Sequence, residues 1–584
     1  NLENQNTRYI LTFGQFYFKG ARPINRIVDI SNLKRSAEKV MRLDRMGSMH
    51  QSRLSFLRQF LRRVSKQNWK FNRDLFEINA RGVGRALYRL STPSRDYTLV
   101  CFAHDLPDEM RSDRVIASAW DATFTLYDGK PSIDDINRLG QHVPYQEEGR
   151  LTQNELCLSR ANRSVRLWDY VLNCLAEGKQ PDLDRIRDVG YLMRTTAVYG
   201  SGKFGSADRR VVEKREEANS PFQLEMMTVY LIRTFVMDLI EHLAVMKNPE
   251  TAVKLDSSIR RSFGVGNSTG LGMAPFLINH PRLIHNWFEA KENAIATVKN
   301  IEDATQTEIS KFKELVTRLK PHLKAWQSEH PVQVKKNLVL GKDIEKLEDK
   351  LEGFNFHIKF PWKTLCDWSE KELSIEGQEM LNSLVLEPYG HLIDNFGDQM
   401  SCDEAKLFPI NGDMTVESVK STIEAYYSWA LEIDWSNPSC NARAWYTSEE
   451  KLEPRLGERF EMPELNEYEQ ALQPGRDVAR AYANLCELEP KTSLASFLTV
   501  YPEHRHIIRR CLTCGELPFS EIRDNTIDSS MLPIDMLRAK LSFFGACHFD
   551  PRSDRWVRIN MFKGAPFPDE LSSGSDPEDW IWAP

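Results

Sequence analysis

The sequence predicts a predominantly helical α+β fold: a small antiparallel sheet near residues 80–130 beside a large helical core, in several packing units. Three observations predict it. The 584 residues exceed what one hydrophobic core accommodates, so two to four packing units are expected. Ala86–Leu90, Tyr97–Phe102 and Val115–Tyr127 are rich in β-branched and aromatic residues, with turn chemistry at Thr92–Asp96 and Asp128–Gly129. Pro221 to Met246 opens on Ser-Pro and carries apolar residues such as Met226, Tyr230, Val236, Ile240 and Leu243. They cover much of a helical circumference, as in a central core helix.

Residues 1–80 form a basic helical segment. Residues 1–95 hold twenty Lys/Arg against six Asp/Glu, a charge of +14, so the remainder of this −6 chain carries −20. Leu54, Leu57, Leu61 and Val64 make one apolar helical stripe. Arg58, Arg62 and Lys66, with Arg63 beside them, make a basic face. The expected reading is a surface helix docked on its own protein; the alternative is an arm that binds nucleic acid or anionic lipid. Residues 81–150 form the small antiparallel β unit, with helix resuming near Ser132.

Residues 151–330 read as a helical core with glycine-rich loops. Arg282 to Trp326 gives one or two helices broken at or near Pro321. Residues 331–570 are mixed. They hold a charged helix at Lys342–Leu351, a strand-like run at Phe354–Phe360, a helix at Val416–Leu431 and a strand at Trp556–Phe562. Residues 571–584 form an acidic tail whose Trp580, Ile581 and Trp582 can anchor in a groove of this chain or of a partner.

Composition narrows the function classes. The 41% hydrophobic and 27% charged fractions exclude a chain that is disordered or fibrous overall. No apolar run is long enough to span a membrane. The ten cysteines are dispersed like free cytosolic thiols, and Asn1–Thr7 lacks the basic start of a secretion signal, so the cytoplasm is the expected compartment.

Two segments suggest chemistry. Tyr199–Arg210 combines Gly200, Gly202 and Gly205 with Lys203, Arg209 and Arg210, a pattern suited to holding a carboxylate, phosphate or sulfonate. Gly264–Pro281 carries Gly264, Gly266, Gly270 and Gly272 around Asn267, Ser268 and Thr269, whose N–H and hydroxyl groups suit an oxyanion. Neither run has P-loop or dinucleotide spacing, so no nucleotide cofactor is expected. His280, His285 and Tyr199 are the acid/base candidates, since imidazole titrates near neutrality. Arg523 and Asp524 can orient a substrate. Cys511 and Cys514 form an isolated CxxC near His504, too sparse a set to expect metal.

The expected function is an enzyme working by acid/base chemistry on a small metabolite bearing a carboxylate, phosphate or sulfonate. The reaction is open among lyase, isomerase and hydrolase. A polyanion- or nucleic-acid-binding scaffold using the basic N-terminal region is the first alternative. A metalloprotein with ligands near Cys511 and Cys514 is the second. The charge split and the aromatic tip make a homo-oligomer plausible. The enzyme reading requires the two glycine-rich segments to converge.

Overall fold

The computed structural model describes residues 30–105, 107, 120–141, 152–187, 189–200, 212, 214–267, 281–326, 328, 331–400, 410–436, 445–448, 454–456, 467–470, 475–521, 533–545, 548–551, 557–571 and 577–582. The fold is α+β and predominantly helical. Helices of ten residues or more are α1 (Phe56–Lys66), α2 (Gln223–Lys247), α3 (Pro281–Lys299), α4 (Gln306–Ala325), α5 (Pro331–Glu352), α6 (Pro361–Glu372), α7 (Ile375–Leu384), α8 (Val416–Leu431), α9 (Gly475–Cys486), α10 (Arg505–Glu516) and α11 (Pro533–Phe544). Among the described residues no helix is long and apolar enough to cross a membrane.

The strands are β1 (Lys70–Ile78), β2 (Gly84–Ser91), β3 (Asp96–Ala103), β4 (Ala122–Asp128), β5 (Glu155–Arg163), β6 (Tyr191–Gly200), β7 (Gly264–Asn267), β8 (Trp445–Ser448), β9 (Pro454–Leu456), β10 (Glu467–Gln470), β11 (His548–Pro551) and β12 (Val557–Met561). Nine of them build one sheet in the order β1-β2-β3-β4-β5-β6-β7-β12-β11, and β10-β8-β9 build a smaller one. In the large sheet, β6 and β7 pair in parallel, whereas the other pairings are antiparallel.

The sheet is therefore larger than the expected one, and it runs through residues 151–330, which were expected to be helical. The cause lies in the burial of β5, eight of whose nine residues are buried. A strand covered on both faces loses the alternation by which it is recognised. Two further expectations are corrected. Phe354–Phe360 is a turn between α5 and α6, and Phe356 packs on Trp362 with ring centroids 5.6 Å apart. Pro321 lies inside α4 on its exposed side, where the carbonyl it leaves unpaired can take water.

Helix α2 crosses one face of the large sheet and fulfils the expectation of a central helix. Phe235 meets Tyr88 and Phe124 edge-on at 6.1 and 5.5 Å. Its buried Arg233 donates to the carbonyls of Phe263, Ala565 and Arg261 at 2.8, 2.8 and 3.2 Å, and its guanidinium lies over Phe567. The opposite sheet face buries Leu87, Val100 and Tyr127 against Ile136 and Leu139. A separate apolar cluster joins α8, α9 and α10.

Charge asymmetry resolves inside the molecule. In α1, Leu57, Leu61 and Val64 are buried as the stripe predicts, but Arg58 is buried too, and Arg62 and Arg63 are half-buried. The Arg58 side chain is 1% exposed and holds Glu387 through two bonds of 2.6 and 2.7 Å. Glu578, near the end of the described chain, binds Arg58, accepts from Arg62 at 2.7 Å and from Arg53 at 3.2 Å. Among the described residues, Arg53, Arg58 and Arg62 of the basic segment thus pair with acidic residues of their own chain.

Helix α7 is the second charged focus, with Glu376 to Leu384 all buried. Glu376 takes a fork from Arg538 at 2.5 and 2.6 Å, and Glu379 faces Arg35, Arg45 and Lys291. The aromatic tail tip is buried, with Trp582 between His50 and His322 at 5.8 and 5.3 Å.

Candidate functional site

The parallel pairing of β6 and β7 sets the directions of the two glycine-rich segments. Arg194 lies opposite Gly266 and Thr195 opposite Asn267, and the Thr195 hydroxyl donates to the Gly266 carbonyl at 3.1 Å. Parallel neighbours send their following residues off the same side of a sheet. Strand β7 ends at Asn267 beside Thr195, while β6 runs five residues further to Gly200 beside β5. In open sheets, that side of parallel strands is where ligands are bound.

The return points are also close together. Ser220, just before α2, donates to the Gly397 carbonyl at 2.9 Å. Asn286, early in α3, donates to the Met400 carbonyl at 3.3 Å. Both helices are thus fixed at their N-terminal ends to the turn spanning 394–400. Lys203, Arg209, Arg210, Ser268, Thr269 and His280 themselves lie outside the described residues, as do Arg523 and Asp524.

The sheet carries buried cations on β5 and β6. Arg194 on β6 is 5% exposed and pairs across to Asn162 of β5. Arg160 on β5 is also buried, with its guanidinium 4.3 Å from the Trp120 ring centroid. Tyr199 sits on β6 opposite Leu158, and Gly200 ends the strand opposite Cys157.

Several predicted roles change. Gly264 and Gly266 lie in a strand rather than a loop, and close packing accounts for both. A Cβ on Gly264 would sit 2.5 Å from the Met561 carbonyl oxygen, and one on Gly266 would sit 2.7 Å from the Tyr191 ring. Gly266→Ala is expected to destabilise the protein by about 1–3 kcal/mol through that overlap, measured by urea unfolding. An unchanged midpoint would show that the ring moves aside freely.

His285 is drawn away from acid/base work. It lies on α3, where Nδ1 accepts the Phe519 N–H at 3.3 Å and the ring stacks on Phe519. Burial lowers its pKa, so the imidazole is a neutral acceptor tying α3 to the chain after α10.

The CxxC is helical, and both thiols face the second apolar cluster. Cys514 Sγ lies 3.0 Å from the Tyr427 hydroxyl and 3.1 Å from that of Ser520. Burial pushes its thiol up to about 11, so it stays protonated and is a poor metal ligand near neutrality. His504 Nε2 faces Asn484 Nδ2 at 2.9 Å, with its ring stacked on Phe497. Among the described residues, no three or more His, Cys, Asp or Glu are grouped to hold a metal ion.

One residue near the end of β6 escaped the sequence reading. Glu225, in the first turn of α2, is 4% exposed, and its Oε2 has no hydrogen-bond partner among the described residues. It acts electrostatically on the Cys157 thiol opposite Gly200. Desolvation raises its carboxyl to about 7. The available signal was an acidic residue inside an otherwise apolar helix.

Comparison with known proteins returns no matching family model, no matching curated protein and no matching solved structure.

Proposed function

We propose that the carboxyl ends of β6 and β7 bind a small anionic metabolite and that the protein turns it over by acid/base chemistry. The observation that supports this reading is the parallel β6–β7 pair, which sets the buried Arg194 beside Gly266 of the second glycine-rich run. Arg194 supplies a fixed, buried cation on β6, and the sequence adds Lys203, Arg209 and Arg210 beyond it. Ser268 and Thr269 follow β7 directly, and His280 ends the second segment beside α3. A reducing, cytoplasmic setting suits the chain, since Cys101, Cys157, Cys174, Cys366, Cys486, Cys511 and Cys514 are free thiols. Self-association stays part of this reading, and native mass measurement addresses it.

The polyanion-scaffold reading is weakened because Arg58 and Arg62 are paired with Glu387 and Glu578. Calorimetric titration with phosphate, sulfate and small di- and tricarboxylates tests the anion reading. Lys203→Ala is expected to weaken the best binder about tenfold while the melting temperature holds. If no anion of the panel binds the wild-type protein, the reading fails.

A further inference from the structure

Three arginines at the start of α1 converge on one carboxylate. Arg53 donates to Glu578 at 3.2 Å, Arg62 donates at 2.7 Å, and Arg58 completes the cage. Burial opposes ionisation of Glu578, yet Arg58, Arg62 and Arg53 hold its carboxyl far below the usual range. The carboxylate therefore stays charged inside the cage.

Each arginine is also fixed without Glu578. Arg58 forks onto Glu387 at 2.6 and 2.7 Å, and Arg53 forks onto Asp394 at 2.8 and 2.7 Å. Arg62 reaches the Arg53 carbonyl. Gly390 leaves the room that Arg53 occupies, since a Cβ there would sit 2.8 Å from Arg53 Nε. Among these groups, three guanidinium charges meet the carboxylates of Glu387 and Asp394, and Glu578 cancels the one positive charge left over. Donors held in place ahead of their anion, with a single charge to match, describe a binding site for one carboxylate.

That site is reachable from solvent. Glu578 and Glu387 line a cleft of about 590 Å³, and Gln306, Thr307, Ser310 and Lys311 of α4 line it as well. Its volume suits a small metabolite, and its amide, hydroxyl and ammonium groups suit a polar one. Arg58 is only 1% exposed, so a bulky polyanion does not reach the cage. Glu578 itself belongs to the segment 577–582, which has separate anchors. Asp579 accepts from Arg261 at 2.8 Å, and Trp580, Ile581 and Trp582 are buried.

We propose that Arg53, Arg58 and Arg62 form a binding site for a small polar carboxylic acid, which Glu578 occupies from within the chain. The external acid and Glu578 compete, so segment 577–582 loosens when the acid is bound. This site shares no residue with the β6–β7 reading and stands without it.

Acetate is the probe, because Glu578→Ala deletes the atoms that acetate restores. In thermal unfolding of the full chain, acetate is expected to raise the melting temperature of Glu578→Ala above its value in equal chloride. Half of that effect is expected about tenfold below the acetate concentration that wild type requires. Adding Arg62→Ala to the variant is expected to remove the acetate effect. Acetate bound at β6–β7 acts on all three proteins alike and cancels in the comparison. In wild type, excess acetate is expected to speed amide exchange in segment 577–582 relative to chloride. An equal response of Glu578→Ala and wild type to acetate overturns the proposal, as does an excess response of the variant that survives Arg62→Ala. Unchanged exchange in segment 577–582 shows that Glu578 never yields its place and overturns the competition. If Glu578→Ala does not fold, the wild-type exchange measurement decides by itself.

Discussion

Glu379→Ala is expected to lower the unfolding free energy by about 3–5 kcal/mol, because it leaves buried cations without their anion. Arg35 and Arg45 both bind its Oε1, Arg45 at 2.7 Å, while Lys291 Nζ lies 3.5 Å from Oε2. The side chains of Glu379 and Lys291 are fully buried. Burial opposes ionisation of Glu379, yet Arg35, Lys291 and Arg45 hold its carboxyl far below the usual range. Arg35 keeps Glu292 at 2.7 Å after the substitution, so Lys291 and Arg45 lose most. Urea unfolding of wild type, Glu379→Ala and Glu379→Gln measures the effect. A loss below about 1 kcal/mol for the alanine variant would mean that water or a new partner replaces the carboxylate.

The second large effect follows pH. His50 is fully enclosed between Trp326 and Trp582, and desolvation is the main cause that lowers its pKa to about 4. Glu376 and Glu379 raise it, while Arg538 and His322 lower it. The imidazole is neutral in the fold but takes a proton in the unfolded chain near pH 6.5. Its stabilising effect is therefore complete above that value and lost as pH falls from 6.5 through 4. The lost stability amounts to about 3 kcal/mol. His50→Phe fits the same aromatic setting and removes the titration. The difference in stability between wild type and this variant should shift by about that amount between pH 7 and pH 4. A difference that stays constant with pH would show that His50 is protonated in the fold.

The legible parts of the fold were those with a clean period. Helix α2, the stripe of α1, the helix Val416–Leu431 and the strands of the 80–130 sheet all follow from residue spacing. Strands β5, β6 and β7 did not stand out, because burial on both faces replaces alternation with mixed small and polar residues such as Ser159, Arg160 and Thr195. Polar residues that face other elements read as surface until those elements are placed. The same holds for Arg58, whose partners lie 329 and 520 residues away. Of the site, the two glycine-rich segments were visible in composition, but Gly264 and Gly266 were misread because their neighbours Met561 and Tyr191 are distant in sequence. Glu225 was hidden because its interest lies in what does not surround it.

The sheet order carries a consequence for synthesis. Strand β7 gains its second neighbour, β12, only when residues 557–561 have been made, although its first neighbour β6 precedes it. At about 5–20 residues per second, roughly a quarter of a minute to a minute passes with that edge unpaired on the ribosome. An open edge recruits other strands. A chain that stops between residues 267 and 557 therefore keeps one edge of β7 without its partner strand.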